Sequence, residues 1–141
     1  MNAGSTPQAA TCPCGRPAAY EDCCGVFHAQ VASGTGPGAP DPESLMRSRY
    51  TAFVQDRRPY LLATWHPDTR PAVIDAPEPG LKWLGLTVKA ARWDGGDEGQ
   101  VHYVARYKIG GRAFRLEEHS LFRRVDGRWL YVSALQAGGG G

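Results

Sequence analysis

The chain has 141 residues, of which 21% are charged and 42% hydrophobic, so it is long enough for one domain with a buried core. Its net charge of +2 is too small for a strongly basic surface and argues against nucleic acid as a partner. There is no apolar run of about 18 residues for a membrane span, and residues 1–11 lack the basic and apolar regions of a secretory signal, so we expect a cytoplasmic protein with reduced thiols.

Composition divides the chain into five segments. Residues 1–11 and the glycine-rich residues 136–141 are predicted to be disordered, because such small and polar residues have little to pack. Residues 12–32 hold all four cysteines and form a small module, and residues 33–40 are predicted to be a linker rich in Gly and Pro. Residues 41–135 carry the periodic hydrophobic pattern of the main domain.

Two helices are predicted at the start of the main domain. Asp41 suits an N-cap and Pro42 the first helical position, and apolar residues recur at helical spacing as far as Val54. Asp56 is the predicted N-cap of a second, shorter helix, which has Pro59 in its first turn.

From Leu81 onward the hydrophobic period changes to two, which predicts four strands in an antiparallel meander. The strands are expected at residues 82–93, 100–109, 113–125 and 128–135. Gly110-Gly111 and Asp126-Gly127 are typical of tight hairpin turns. Helices followed by such a meander indicate an α+β fold with a long helix across one face of a curved sheet.

The same alternation predicts which side chains share a face of the sheet. In the first strand it places Leu84 and Leu86 on the face opposite to Trp83. In the third strand it places Glu118 beside Phe122, on the inward face. A buried carboxylate needs a partner, and three arginines are candidates for a structural ion pair: Arg47, Arg49 and Arg70.

The four cysteines are arranged as two close pairs, Cys12 with Cys14 and Cys23 with Cys24, separated by eight residues. Zinc prefers four ligands in a tetrahedron, and thiolates bind it at about 2.3 Å. Four thiolates would leave no open position for water, so the sequence predicts a structural zinc site rather than a catalytic one.

Two other interpretations of the cysteines stay open at this point. Disulfide or redox chemistry is disfavoured by the expected reducing compartment, and unlinked core thiols would rarely gather within thirteen residues. His28, four residues beyond Cys24, could replace one thiolate or lie at the surface or just outside the ligand shell.

The cysteine segment resembles the SEC-C motif, named for the C-terminus of the SecA preprotein translocase. The motif has Cys-x-Cys, eight residues and then Cys followed by Cys or His, and residues 12–24 match this spacing completely. The similar module of the translocase contacts protein partners, so the resemblance implies a docking role for the module.

The main domain resembles the YchJ-like (UPF0225) family. The resemblance is carried by Pro42 to Phe53, Tyr60-Leu61, Thr64 to Pro67, Trp83 to Leu86, Glu118 with Ser120 and Phe122, and Gly127 to Val132. It implies a fold like that of nuclear transport factor 2 (NTF2), a cone in which a curved sheet wraps a helix and can enclose a pocket. It implies a fold rather than a particular reaction.

A pocket in such a cone is a natural ligand site. The candidate lining residues are Trp65, His66, Trp83, Tyr103, Tyr107, Glu118 and Ser120. Glu118 and His66 are a candidate acid–base pair, because burial moves both pKa values toward neutrality. Structural alternatives are packing for Trp83 and a cap of the second helix for His66.

Three functions are compatible with these features. The first is a binding or adaptor protein, with the zinc module docked on a protein partner and a ligand or protein bound by the main domain. The second is an enzyme that acts on a small molecule through Glu118 and His66. The third is a scaffold whose pocket is filled by side chains. Sheets of this fold class often pair, so a homodimer is a further prediction.

Overall fold

A computed structural model describes residues 11–138, with side chains as far as residue 135. Residues 1–10 and 139–141 lie outside the described residues, so most of the predicted N-terminal end and half of the predicted C-terminal tail are not described. Residues 136–138 of that tail belong to the last strand. Three helices precede four strands in the predicted α+β order. The helices are α1 (Cys24–Ser33), α2 (Pro42–Val54) and α3 (Arg58–Ala63), and the strands are β1 (Lys82–Trp93), β2 (Glu98–Ile109), β3 (Arg112–Val125) and β4 (Arg128–Gly138). No described helix is long and apolar enough to cross a membrane.

The start of α2 is built as the sequence predicts. The Asp41 carboxylate accepts a hydrogen bond of 2.7 Å from the backbone N–H of Ser44, and Pro42 occupies the first turn. This bond satisfies one of the amide groups that have no partner inside the helix.

The predicted N-cap of α3 is wrong. Asp56 adopts a left-handed backbone conformation, with φ at 56°, in the turn between the two helices. Its carboxylate therefore pairs with Arg58 at 2.9 Å, and Arg57, which occupies the cap position, makes no capping bond. Pro59 does lie in the first turn of α3, as predicted.

The four strands form one antiparallel sheet in the order β1-β2-β3-β4, so each strand pairs with its neighbour in sequence. Both predicted glycine turns are present at the two later hairpins. Gly110 and Gly111 have φ of 58° and 82°, and Asp126 and Gly127 have φ of 51° and 81°. Positive φ at both central residues is what a two-residue type I′ turn requires.

The predicted faces of β1 are wrong at its beginning. The pairing with β2 shifts between Trp83 and Gly85, which indicates a β-bulge at Leu84. Trp83 and Leu86 consequently pack on the same core, while Leu84 is 49% exposed. A period of two cannot reveal the extra residue of a bulge, which is why strict alternation gave the opposite assignment.

Helix α2 is buried on two sides. Toward the concave face of the sheet, Leu45, Met46 and Tyr50 belong to the main core with residues of β2, β3 and β4. That core also includes Val101, Ala105, Phe122 and Trp129. On its other side, Ala52 packs with α3, and Phe27 and Val31 of α1 pack against that cluster. The N-terminal module therefore lies directly against the main domain.

The connection between α1 and α2 also contacts both neighbouring parts. The backbone N–H of Gly38 donates to the Gln30 side chain of α1 at 2.8 Å. Arg128 of β4 donates to the backbone carbonyl of Gly36 at 2.6 Å, and Ala39 is 6% exposed within the main core. These bonds hold residues 34–41 against the sheet and the module.

The start of β2 approaches the first turn of α2 so closely that only glycine fits. A Cβ atom added to Gly99 would overlap the ring of Pro42, which is held rigidly at the helix start. We therefore predict that Gly99→Ala lowers the free energy of unfolding by about 1–3 kcal/mol, as overpacking does in other cores. Urea denaturation followed by circular dichroism measures this difference.

Gly85→Ala is the matched control for this prediction. Gly85 lies in β1, has an ordinary negative φ and would place a Cβ in open space. The control should be neutral or slightly stabilising, because alanine has less backbone freedom to lose on folding. Equal destabilisation by the two substitutions would contradict the proposed contact between Gly99 and Pro42.

Candidate functional site

The four cysteines meet at one buried point. Their Sγ atoms all lie within 4.8 Å of one another, and the Sγ atoms of Cys14 and Cys23 are 3.6 Å apart. A metal ion held tetrahedrally by thiolates at about 2.3 Å would set its sulfur atoms about 3.8 Å apart. All four cysteines, which lie within the described residues, are free of disulfides. The cluster therefore fits a single metal ion.

Local backbone features bring the two cysteine pairs together. Between Cys12 and Cys14 the chain begins a tight turn, in which Gly15, with φ at 95°, donates to the Cys12 carbonyl at 3.2 Å. The second pair starts α1, where Gly25 allows a close approach to Tyr20. A Cβ on Gly25 would lie 2.6 Å from the Tyr20 carbonyl oxygen.

The close approach of the thiols also shifts their pKa values. A hydrogen bond from Cys24 lowers the pKa of Cys14 to about 5. Burial raises the pKa of Cys23 to about 11, and the bond to Cys14 raises the pKa of Cys24. These directions favour the thiolate form of Cys14 and the protonated forms of Cys23 and Cys24. A bound divalent ion would displace those protons, as metal binding by thiols requires.

Two residues of α2 hold the cluster from outside. Thr51, which is fully buried, donates from its hydroxyl to the Cys24 sulfur at 3.3 Å and lies 3.7 Å from the Cys12 sulfur. Arg47 donates to the Cys14 backbone carbonyl at 2.6 Å. Nothing in the cysteine spacing pointed to Thr51, because 27 residues separate it from Cys24.

His28, which could have replaced one thiolate, is not part of the cysteine cluster and does not lie on the surface. It is 5% exposed, and both of its ring nitrogens make hydrogen bonds. Nε2 lies 2.8 Å from the Ser48 carbonyl oxygen, so it must be the protonated nitrogen, and Nδ1 then accepts from the Tyr20 hydroxyl at 2.7 Å. Burial lowers the pKa of His28, which favours this neutral form. His28 therefore links α1 to α2.

A partly enclosed cavity of about 250 Å³ lies between α2 and the concave face of the sheet. Most of the predicted pocket residues line it: Trp65, Trp83, Tyr103, Glu118 and Ser120. Tyr107 and His66 are not among the lining residues. Tyr107 packs behind Trp83 with ring centres 5.4 Å apart, and His66 accepts a hydrogen bond from the Asp68 backbone.

Glu118 is held at the cavity by neutral donors rather than by an arginine. Its Oε2 atom accepts from the Ser120 hydroxyl at 2.5 Å and from the Tyr131 hydroxyl at 3.0 Å. The predicted ion pair with Arg47, Arg49 or Arg70 is absent from the described residues, where Arg47 pairs with Glu43 instead. The predicted inward direction of Glu118 is confirmed.

Arg49, which the sequence indicated only as an ion-pair partner of Glu118, is a cavity residue. It lines the cavity from α2 and is 5% exposed. Burial lowers the pKa of Arg49 to about 10, so the side chain still carries its charge at neutral pH. Burial also raises the pKa values of Tyr103 and Tyr131, which keeps both hydroxyls protonated. The cavity thus combines aromatic walls with one buried cation and one carboxylate.

Comparison with known proteins identifies relatives over most of the chain. A family model described as YchJ, middle NTF2-like domain, matches residues 41–134. A UPF0225 protein from Methylibium petroleiphilum is 59% identical over 121 residues, which cover 86% of this chain and 85% of that protein. A UPF0225 protein from Bordetella parapertussis is 51% identical over 123 residues, with 87% of this chain and 90% of that protein covered.

Two solved structures share the fold. The solution structure of a SEC-C motif containing protein from Rhodopseudomonas palustris matches with a TM-score of 0.75 and 32% identity, over 89% of this chain and 97% of that chain. The crystal structure of a SEC-C motif containing protein from Psychrobacter arcticus matches with a TM-score of 0.72 and 25% identity, over 87% and 80% of the two chains. These matches confirm the predicted NTF2-like fold and the SEC-C resemblance, and the chain belongs to the YchJ-like UPF0225 family.

Proposed function

We propose that this protein binds a small organic molecule in the cavity of its NTF2-like domain and uses a structural zinc ion to hold its N-terminal module in place. The observation that carries the proposal is the cavity of about 250 Å³ with a buried Arg49 and a carboxylate, Glu118, on its walls. Ionisable groups at an otherwise aromatic cavity are typical of a ligand site.

Zinc is the metal that the donor set favours. Four sulfur ligands suit the tetrahedral preference of Zn²⁺, and four protein ligands leave no position for a substrate or water. The ion would therefore act by stabilising the fold of the module. The similarity to two solved SEC-C motif containing proteins supports a metal-binding role for the cysteine cluster.

A filled scaffold has less support than a binding protein. If side chains filled the cone, no cavity of this size would remain between α2 and the sheet. An enzyme with Glu118 and His66 as acid and base also has less support. His66 lies outside the lining residues, and its Nδ1 atom is occupied by the Asp68 N–H at 3.1 Å.

A protein partner of the module remains part of the proposal. The module uses Phe27 and Val31 to pack against the main domain, so a partner would meet its outward side. Val26 on α1 is 37% exposed there. A homodimer also remains a prediction, which sedimentation of the purified protein would test.

We predict that purified protein that has not met a chelator contains one zinc ion per chain. Cys24→Ser should reduce the bound zinc to well below one equivalent, because a hydroxyl is a poor zinc ligand. A strong chelator should destabilise the wild-type protein by several kcal/mol, since the binding energy of a structural ion contributes to folding. Atomic emission and urea denaturation are the measurements. Metal-free wild-type protein with thiols linked in pairs would contradict the proposal.

Thr51→Val tests, in the same assay, the contribution of a residue that supports a cysteine ligand without binding the metal itself. The substitution removes the hydroxyl that donates to Cys24 but leaves all four sulfurs in place. We expect one zinc ion per chain and an affinity lower by about ten-fold, the usual effect of losing an outer hydrogen bond. Competition with a zinc-binding dye measures the affinity. Loss of zinc as complete as in Cys24→Ser would mean that Thr51 determines the fold of the site itself.

The cavity proposal predicts that one substitution abolishes small-molecule binding while a matched one does not. Leu116 lines the cavity, so Leu116→Trp should fill it. Leu84, 49% exposed on β1, does not line it, so Leu84→Trp is the control. A panel of small aromatic compounds should shift backbone amide signals around the cavity in ¹H–¹⁵N spectra of the wild type and the control only. Equal binding by Leu116→Trp and Leu84→Trp would contradict the proposal. Absence of binding by both the wild type and Leu84→Trp would also contradict it.

A further inference from the structure

The guanidinium of Arg49 makes its hydrogen bonds within the described residues through one nitrogen, Nη1. Nη1 donates to the Leu61 carbonyl and to the Thr64 hydroxyl, both at 2.8 Å. The Cζ atom of the guanidinium lies over the Trp65 ring, 5.0 Å from its centre, and over the Tyr131 ring, 4.8 Å from its centre. These two hydrogen bonds and two ring contacts hold the buried guanidinium in place.

The charge of Arg49 has no ion-pair partner in the described side chains. Every salt bridge within residues 11–135 involves another basic residue. A buried cation without a partner is costly, and proteins usually pair such groups. Glu118 lines the same cavity, yet its carboxylate oxygens lie more than 4.0 Å from the Arg49 nitrogens. A cation and an anion thus line one cavity without touching.

The unused edge of Arg49 has the geometry that recognises a carboxylate. Nε–H and Nη2–H lie side by side on a guanidinium and match the two oxygens of a carboxylate. Neither atom has an acceptor in the described part of the chain. In that part of the chain, the buried side-chain nitrogens that have neither a partner nor contact with solvent are those of Trp65 and Trp129. Nε and Nη2 of Arg49 are not among them, and Arg49 lines the cavity.

Glu118 offers the complementary feature. Its Oε2 atom takes both hydrogen bonds, from Ser120 and Tyr131, and its Oε1 atom has no donor among the described residues. A ligand that brought only a carboxylate would meet Arg49 but would be repelled by Glu118. A ligand that also brought an ammonium group would satisfy both charges and leave the cavity neutral.

The remaining walls favour an apolar ligand body. Four aromatic rings of the cavity complete its surface: Tyr50, Phe53, Trp83 and Phe122. The volume of about 250 Å³ lies below the range of about 300 to 1,000 Å³ for ordinary ligand pockets. A molecule with a single ring suits such a space.

We propose that the cavity binds a small zwitterion with an apolar or aromatic side chain, of the α-amino acid type, with its carboxylate on the free edge of Arg49 and its ammonium group on Glu118. This inference rests on the proposed ligand-binding function and adds the chemical class of the ligand. It also assigns Arg49 and Glu118 as the residues that determine specificity.

The test compares three probes that share one phenyl ring and one two-carbon chain. They are L-phenylalanine, 3-phenylpropionate, which lacks the ammonium group, and 2-phenylethylamine, which lacks the carboxylate. We expect L-phenylalanine to bind the zinc-loaded full chain at least about ten-fold more tightly than either analogue, since each loses one charge-assisted contact. Titrations followed in ¹H–¹⁵N spectra, including the Nε–H signal of Arg49, measure the three affinities.

Glu118→Gln is the variant on which the test depends, because Arg49 also supports Leu61 and Thr64. With Glu118 neutral, the preference for L-phenylalanine over 3-phenylpropionate should fall below about three-fold. Arg49→Lys keeps the charge but removes the paired donors, and should reduce the preference over 2-phenylethylamine.

Each outcome decides the inference. Equal binding of L-phenylalanine and one analogue by the wild type, or an unchanged preference in Glu118→Gln, would overturn the zwitterion as the ligand class. Saturable binding of the analogues but not of L-phenylalanine would also overturn the zwitterion as the ligand class, but it would still support small-molecule binding in the cavity. Absence of binding by all three probes would overturn the ligand class, whereas the Leu116→Trp comparison decides separately whether the cavity binds small molecules at all.

Discussion

The burial of α2 on two sides is the constraint on which the rest of the structure depends. A helix at the surface of a domain needs one apolar face, but α2 has contacts on two sides. Leu45 and Tyr50 pack against the sheet, whereas Ser48 and Thr51 make hydrogen bonds with the N-terminal module. Polar residues can be buried on the second side because each finds a partner there. The Ser48 hydroxyl, for example, lies 2.7 Å from that of Tyr60.

This arrangement places the cysteine cluster and the cavity on one helix. Thr51 meets the cysteine cluster, and Arg49, two residues earlier, lines the cavity. Successive helical residues are separated by about 100°, so two positions apart they point to nearly opposite sides. The cysteine cluster therefore contacts one side of α2, and the cavity lies on the other side. His28, buried between α1 and α2, strengthens the same contact.

Much of the fold could be predicted because it follows from local patterns. The cap at Asp41, the four strands and the turns at Gly110 and Asp126 depend on residues close in sequence. The errors arose where a local pattern has more than one structural solution. An aspartate between two helices can cap or adopt a left-handed turn, as Asp56 does, and a β-bulge at Leu84 reverses the faces that alternation predicts.

The sequence by itself determined which four cysteines form the cluster, the order of the helices and strands, and the inward direction of Glu118. These features follow from spacing and periodicity, which are properties of the local chain. Only the tertiary structure decided the partners of those groups. It gave Glu118 two hydroxyl donors, placed Arg49 at the cavity with one edge free and left His66 outside. Such choices depend on distances between residues far apart in the chain, and periodicity carries no information about them.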